Sequence, residues 1–189
     1  MSLRACLLLL GLSCLQTTFA QTSAPKPDAA AQAAANERYT ATSKRFSLPV
    51  PTGWKNIPGE NHGLRDNVFM HPKPVQGFAA NMVFIEETAP AKLKLGQLVD
   101  SSLGLMEKNM PGYEASDRQE LKTVSGVTMI RVRYQCRFLP NSVTSKNAAY
   151  FVLLKDSRLL TITVSGIAAT PAEHAAEADA AILKLETTP

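Results

Sequence analysis

The stretch YFVLLKDSRLLTITVSGIAATPAEHAAEADAAILKLE, Tyr150 to Glu186, decides the fold. Tyr150, Val152 and Leu154 alternate with Phe151 and Leu153, so both faces are apolar, as in a central strand covered on two sides. Asp156-Ser157 is the polar break of a hairpin turn. Leu160, Ile162 and Val164 then alternate with Thr161, Thr163 and Ser165, which predicts a second strand with one buried and one polar face. Thr170-Pro171-Ala172-Glu173 reads as a helix start. Thr170 is placed to cap, Pro171 suits the first helical position, and Glu173 stands where a capping box needs it. Ala175, Ala178, Ile182 and Leu185 follow at helical spacing, a narrow stripe that suits close packing on a sheet. His174, in the first turn, is expected at the surface.

Upstream of this run the pattern is also strand-rich. Arg45 to Val50 predicts a short strand with Phe46 and Leu48 inward, followed by a Pro51-Thr52-Gly53-Trp54 turn. Trp54 is the only tryptophan and is expected to plug the core at the end of the sheet. Asn67 to His71 and Ala79 to Glu86 predict two more strands. Leu95, Leu98, Val99, Leu103, Met106 and Met110 fall at helical spacing and predict a helix over 91–109, ended by Pro111-Gly112. Glu114 to Val124 is a polar strand near an edge, and Ser125-Gly126 is a hairpin turn. Val127 to Phe138 is the clearest strand. Ile130, Val132, Tyr134, Cys136 and Phe138 face one way, and Arg131, Arg133, Gln135 and Arg137 the other. Antiparallel hairpins with one helix in the middle and one at the end define an α+β fold, an antiparallel β-sheet flanked by α-helices.

The amino terminus reads as a secretory leader over 1–20. Arg4 supplies the positive charge, Ala5 to Leu15 an apolar run too short to span a bilayer, and Thr18-Phe19-Ala20 a small-x-small cleavage site. Lipoprotein processing at Cys14 is the alternative, disfavoured by Gly11 where an aliphatic residue is usual. Residues 21–38, QTSAPKPDAAAQAAANER, lack bulky apolar side chains and are expected to form a flexible Ala/Pro-rich tether. A single domain over 39–189 follows. The expected location is exported, in the periplasm. Of three cysteines, Cys6 and Cys14 lie in the leader. Cys136 is left on the apolar side of its strand as a buried, inert thiol. The formal charge of +4, or +3 without Arg4, is too mild to argue for nucleic acid.

The pattern F-S-L-P-V-P-x-G-W from Phe46, the helix LKLGQLVDSSLGLMEKNMPGY, the strand GVTMIRVRYQC and the closing hairpin and helix resemble the PsbP/DcrB superfamily. The resemblance covers Phe46 to Leu185. It implies an antiparallel sheet flanked by helices and a non-catalytic role in binding or assembly, with the DcrB-like envelope branch the best match. It transfers no ligand residues.

No chemical motif competes with that reading. Glu60, His62, Asp66 and His71 match no zinc or calcium spacing and are expected to be solvated loop residues. Glu86 and Glu87 are adjacent on a strand and point to opposite faces, which prevents paired acid–base work. There is no Gly-x-Ser-x-Gly elbow. No catalytic residue, metal or cofactor is expected. Arg131, Arg133 and Arg137 are the candidate docking face, with Lys146 and Lys155 as possible extensions. A solvated sheet face is the plainer reading of the same residues. The expected partner is a protein or envelope component, or an anionic lipid surface. The competing function is a small-molecule or lipid carrier with a cleft between the sheet and Met106 and Met110, joined by Met82. Intact mass of the exported product is expected to start at Gln21. A diacylglyceryl-modified Cys14 would establish the other processing route.

Overall fold

Strands in this chain are set by alternation, and their pairing by turns that only certain backbones allow. A computed structural model of the protein describes residues 37–137 and 143–188. The leader, Cys14, most of the tether and Phe138 lie outside the described residues. The order is β1 (Arg38–Thr40), β2 (Phe46–Pro49), β3 (Lys55–Ile57), β4 (Val68–Met70), β5 (Asn81–Thr88), α1 (Leu95–Asn109), β6 (Glu114–Lys122), β7 (Thr128–Arg137), β8 (Thr144–Leu154), β9 (Arg158–Ile167), α2 (Ala172–Ile182) and β10 (Glu186–Thr187). The long sheet has the order β3-β4-β5-β9-β8-β7-β6, and a small sheet has the order β1-β2-β10. Every pairing is antiparallel. The fold is α+β, as the sequence predicts.

The long sheet is buried on both sides. On one face, Met82, Phe84, Met129, Tyr150, Val152, Leu160 and Ile162 pack against Phe46 and Leu48 of β2 and against Ala178 and Ile182 of α2. On the other, Ile130, Val132, Cys136, Ala149, Phe151 and Leu159 pack against Leu98 and Val99 of α1. The layers are therefore α1, then the long sheet, then α2 together with the small sheet. Thr161 and Ser165, expected on a polar face of β9, are buried because α1 and its flanking segments cover that side too.

The β8–β9 turn forms at Asp156-Ser157, as the sequence predicts. Both residues have positive φ, 58° and 52°, which is the backbone a tight hairpin needs to match strand twist. Helix α1 starts at Leu95, later than predicted, because Lys92 has φ 74° and breaks any helix there. Its first turn is closed by Gln97 Oε1, which accepts the Lys94 N–H at 2.9 Å. Helix α2 corrects two expectations. Thr170 does not cap it; Pro171 stands at the N-cap, and Thr170 Oγ1 accepts the Ile167 N–H at 2.9 Å. That bond folds Thr170 back on Gly166, where a Cβ would lie 3.1 Å from Thr170 Oγ1. The buried stripe keeps Ala178, Ile182 and Leu185 as predicted but differs in its first turn. Ala175 is exposed, and the inward residues are His174, Ala178, Ala181 and Ile182.

A polar clasp joins the two sheets. The Glu86 side chain is 1% exposed and pairs with Arg45 Nη1 at 2.9 Å and Arg158 Nε at 3.1 Å. Ser43 Oγ donates to it at 2.6 Å. Burial alone would raise the affinity of this carboxylate for a proton. The Ser43 bond and the two guanidinium groups outweigh burial and hold its pKa below the ordinary value. Cys136 is buried beside Ser145 Oγ at 3.3 Å and Asn147 Nδ2 at 3.5 Å. Burial pushes its thiol pKa up, and these two polar neighbours only partly offset that. Cys136 is expected to resist thiol reagents in the native protein and to label quickly once denaturant is added, as read by mass change with time.

Candidate docking surface and a buried histidine pair

Strand β7 presents Met129, Arg131, Arg133, Gln135 and Arg137 on the face that α2 covers only in part. Met129 is fully buried, whereas Arg133 and Arg137 are exposed. The face thus runs from core to solvent along one strand. Arg131 lies at the covered end, with its side chain 12% exposed. It donates to Asp117 Oδ2 at 2.9 Å and to Gln119 Oε1 at 2.7 Å, both on β6, and stands 3.7 Å from Asp179 Oδ2 on α2. Burial works against its charge. The bond to Asp117, with Tyr150 and Asp179 nearby, prevails and raises its pKa. Tyr150 donates its hydroxyl to Asp179 Oδ1. Burial first, and that carboxylate second, push the Tyr150 pKa upward.

Arg133, with its side chain 48% exposed, reaches Asp179 Oδ2 at 3.3 Å. Beyond it the open face is formed by Gln135, Arg137 and Lys146. Lys146 pairs in register with Gln135, so the two share a face, and Lys146 is exposed. Gln135 donates to Glu114 at 2.5 Å. Lys155 does not extend this patch. It lies beyond Leu154, in the turn at the far end of β8, roughly 30 Å from Lys146 at ~3.3 Å per residue. The structure therefore divides the predicted stripe. Arg131 is largely buried between Asp117 and Asp179, whereas Arg133, which also reaches Asp179, is exposed together with Arg137 and Lys146.

The loop residues singled out in the sequence do not converge. Asp66 Oδ1 accepts from Tyr39 Oη at 3.0 Å and from the Thr42 N–H at 2.8 Å. Burial in that contact, more than the Asp66 charge, pushes the Tyr39 pKa up to about 12. Glu60 is exposed in a short 3-10 turn. Among the described residues, no group of three or more His, Cys, Asp or Glu is arranged to hold a metal ion. The methionine cleft is also corrected. Met106 and Met110 belong to the α1 side, whereas Met82 faces the α2 side, because strand alternation puts it beside Phe84.

Two expectations about histidines change. His71 and His174, expected in solvent, are buried and stacked on each other with ring centroids 3.5 Å apart. Trp54 is buried, meets His71 edge to face at 6.0 Å, and donates Nε1–H to Glu177 Oε2 at 2.9 Å. Nothing local in the sequence links residues so far apart. The one usable signal was the helical stripe, since His174 stands four residues before Ala178 and so shares its face.

No family model matches the chain, and no curated protein matches it significantly. Solved structures do match, and the fold is like that of PsbP-type proteins. LpqN of Mycobacterium tuberculosis, a protein involved in cell envelope biogenesis, is 17% identical with a TM-score of 0.61, over 76% of this chain and 83% of that one. The cyanobacterial PsbP of Synechocystis, CyanoP, is 16% identical with a TM-score of 0.58, over 80% and 92%. A Pseudomonas aeruginosa protein of unknown function, PA94, is 19% identical with a TM-score of 0.57, over 65% and 83%. At such identities the likeness is one of fold. No helix among the described residues is long and apolar enough to cross a membrane.

The two halves of the arginine stripe should separate by mutation. Arg131→Gln is expected to cost about 2 kcal/mol in urea unfolding, because it removes the charge-assisted bonds of a largely buried guanidinium. Arg133→Gln should change stability by less than about 1 kcal/mol.

Proposed function

We propose that this protein is an exported, non-enzymatic binding domain that docks a protein partner presenting carboxylates. The observation that carries this reading is the open end of the β7–β8 face. There Arg133, Arg137 and Lys146 are exposed on one sheet face, and Arg133 shares Asp179 with the covered Arg131. Two guanidinium groups four residues apart on one strand, with an ammonium group on the next, suit contact with several carboxylates of one partner segment. The fold likeness adds support, since one neighbour is described as acting in cell envelope biogenesis and none of the three is described as an enzyme.

The test compares the wild type with Arg133→Gln/Arg137→Gln/Lys146→Gln in pull-downs from envelope extracts at low and high salt. Vesicles of anionic phospholipid are assayed in parallel. The expected result is a partner whose recovery falls with salt for the wild type and is lost in the variant, at an unchanged melting temperature. Equal recovery by both proteins, or charge-dependent binding to vesicles alone, overturns the proposal.

A further inference from the structure

His71 follows β4, and His174 lies in the first turn of α2, so their contact ties that turn to one end of the long sheet. The imidazole planes are within 26° of parallel, and the residues are 9% and 7% exposed. His174 Nδ1 is sealed from solvent and has no hydrogen-bond partner. His71 Nδ1 lies 3.3 Å from the Lys73 amide nitrogen. The same Nδ1 lies 3.4 Å from the Lys73 carbonyl oxygen, so whether it accepts or donates there is set by the ring's tautomer. The geometry suits two uncharged rings. A proton on either ring is desolvated, and protons on both would face each other across a stacking distance. His174 also stands at the N-terminal end of an eleven-residue helix, whose aligned peptide dipoles oppose positive charge there.

We propose that the His71–His174 stack is an acid-sensitive latch, which holds the first turn of α2 on the sheet while both rings are neutral and lets it go when a proton enters the pair. The charged groups facing the pair are Glu173 and Glu177 of α2 and Lys73 of the β4–β5 connection. The two carboxylates favour a proton on His174, and Lys73 opposes it. Burial, followed by the neighbouring His71, dominates, and the His174 pKa is held below the ordinary imidazole value. Trp54 sits on the latch through its ring contact with His71 and its bond to Glu177. Release of the turn therefore unseats Trp54 and opens that end of the core.

The sign follows from linkage. The released or unfolded chain binds a proton that the closed form refuses. The latch's contribution is fully present above the ordinary imidazole pKa of about 6.5 and is lost as pH falls below it. Each excluded proton changes the folding equilibrium by up to about tenfold per pH unit in that window.

The test uses urea unfolding of the full mature chain from about pH 7.5 to about pH 5, a range in which histidine is the side chain that ordinarily titrates. Trp54, the only tryptophan, is the reporter. The wild type is expected to lose stability by several-fold to tenfold per pH unit below about 6.5, and His174→Phe to show a nearly flat profile. Equal slopes for the two proteins overturn the proposal. His71→Phe gives the same comparison from the other ring. If neither variant folds, NMR titration of the three imidazoles in the wild type decides. His174 titrating below the ordinary imidazole value supports the latch, and His174 titrating at or above it overturns it. Stabilisation of the wild type by zinc chloride at neutral pH, lost in His174→Phe, would instead make the pair a metal site and overturn the latch.

Discussion

The structure depends on the β8–β9 hairpin being covered on both faces. Tyr150, Val152, Leu160 and Ile162 look toward α2 and the small sheet, and Ala149, Phe151 and Leu159 look toward α1. A sheet apolar on both sides is stable only when two layers cover it, so each helix is obligatory. This explains why a strand as short as β2 persists. Phe46 and Leu48 are fully buried, and burying side chains of that size contributes roughly 1.5–3 kcal/mol each. Tertiary packing, not strand length, keeps the small sheet in place.

Coverage is uneven across the sheet, and function follows the unevenness. At the β5–β9 end, charge is drawn inside and neutralised, with Glu86 held between Arg45 and Arg158. In the middle, Arg131 is held by Asp117 and Asp179. Further along the same strand the layer of α2 runs out, and the same alternation that buries Met129 delivers Arg133 and Arg137 to solvent. The exposed basic groups are thus a consequence of where a helix ends, on a strand whose period never changes. The edge strand itself is rich in charged residues from Glu114 to Lys122, a composition that discourages pairing with other sheets.

The long elements were legible because periodicity was strong. Both halves of the closing hairpin, α1, and the arginine-bearing strand are where the alternation puts them. Strands β1, β3 and β10, of three, three and two residues, have no periodicity to read and form because neighbours offer free backbone groups. In α2 and just beyond it the stripe lies at Ala178, Ile182 and Leu185 as the spacing predicts, but His174 turns inward in place of Ala175, which the spacing misses because alanine outnumbers every other type there and gives a weak pattern. That one misplaced residue separates a surface histidine from the buried pair. The partition of the arginines was likewise not readable, since Asp179 comes from α2 and Asp117 from β6. Sequence shows which face a side chain takes, but not which carboxylate from elsewhere awaits it.

Strand β2 lies between β1 and β10, so the small sheet joins an early segment to the last described strand. Thr188 Oγ1 closes the contact by donating to the Lys44 carbonyl, 144 positions away. The consequence is kinetic. Local hairpins of the long sheet can form from neighbouring chain, but one side of β2 waits until the final residues are in place, and closing so long a loop is entropically slow to find. Until then Phe46 and Leu48 are held by only part of their final surroundings. Without Glu186 and Thr187 that edge of β2 would be left unpaired, and its place in the covering layer would rest on β1 and on the packing of Phe46 and Leu48 alone.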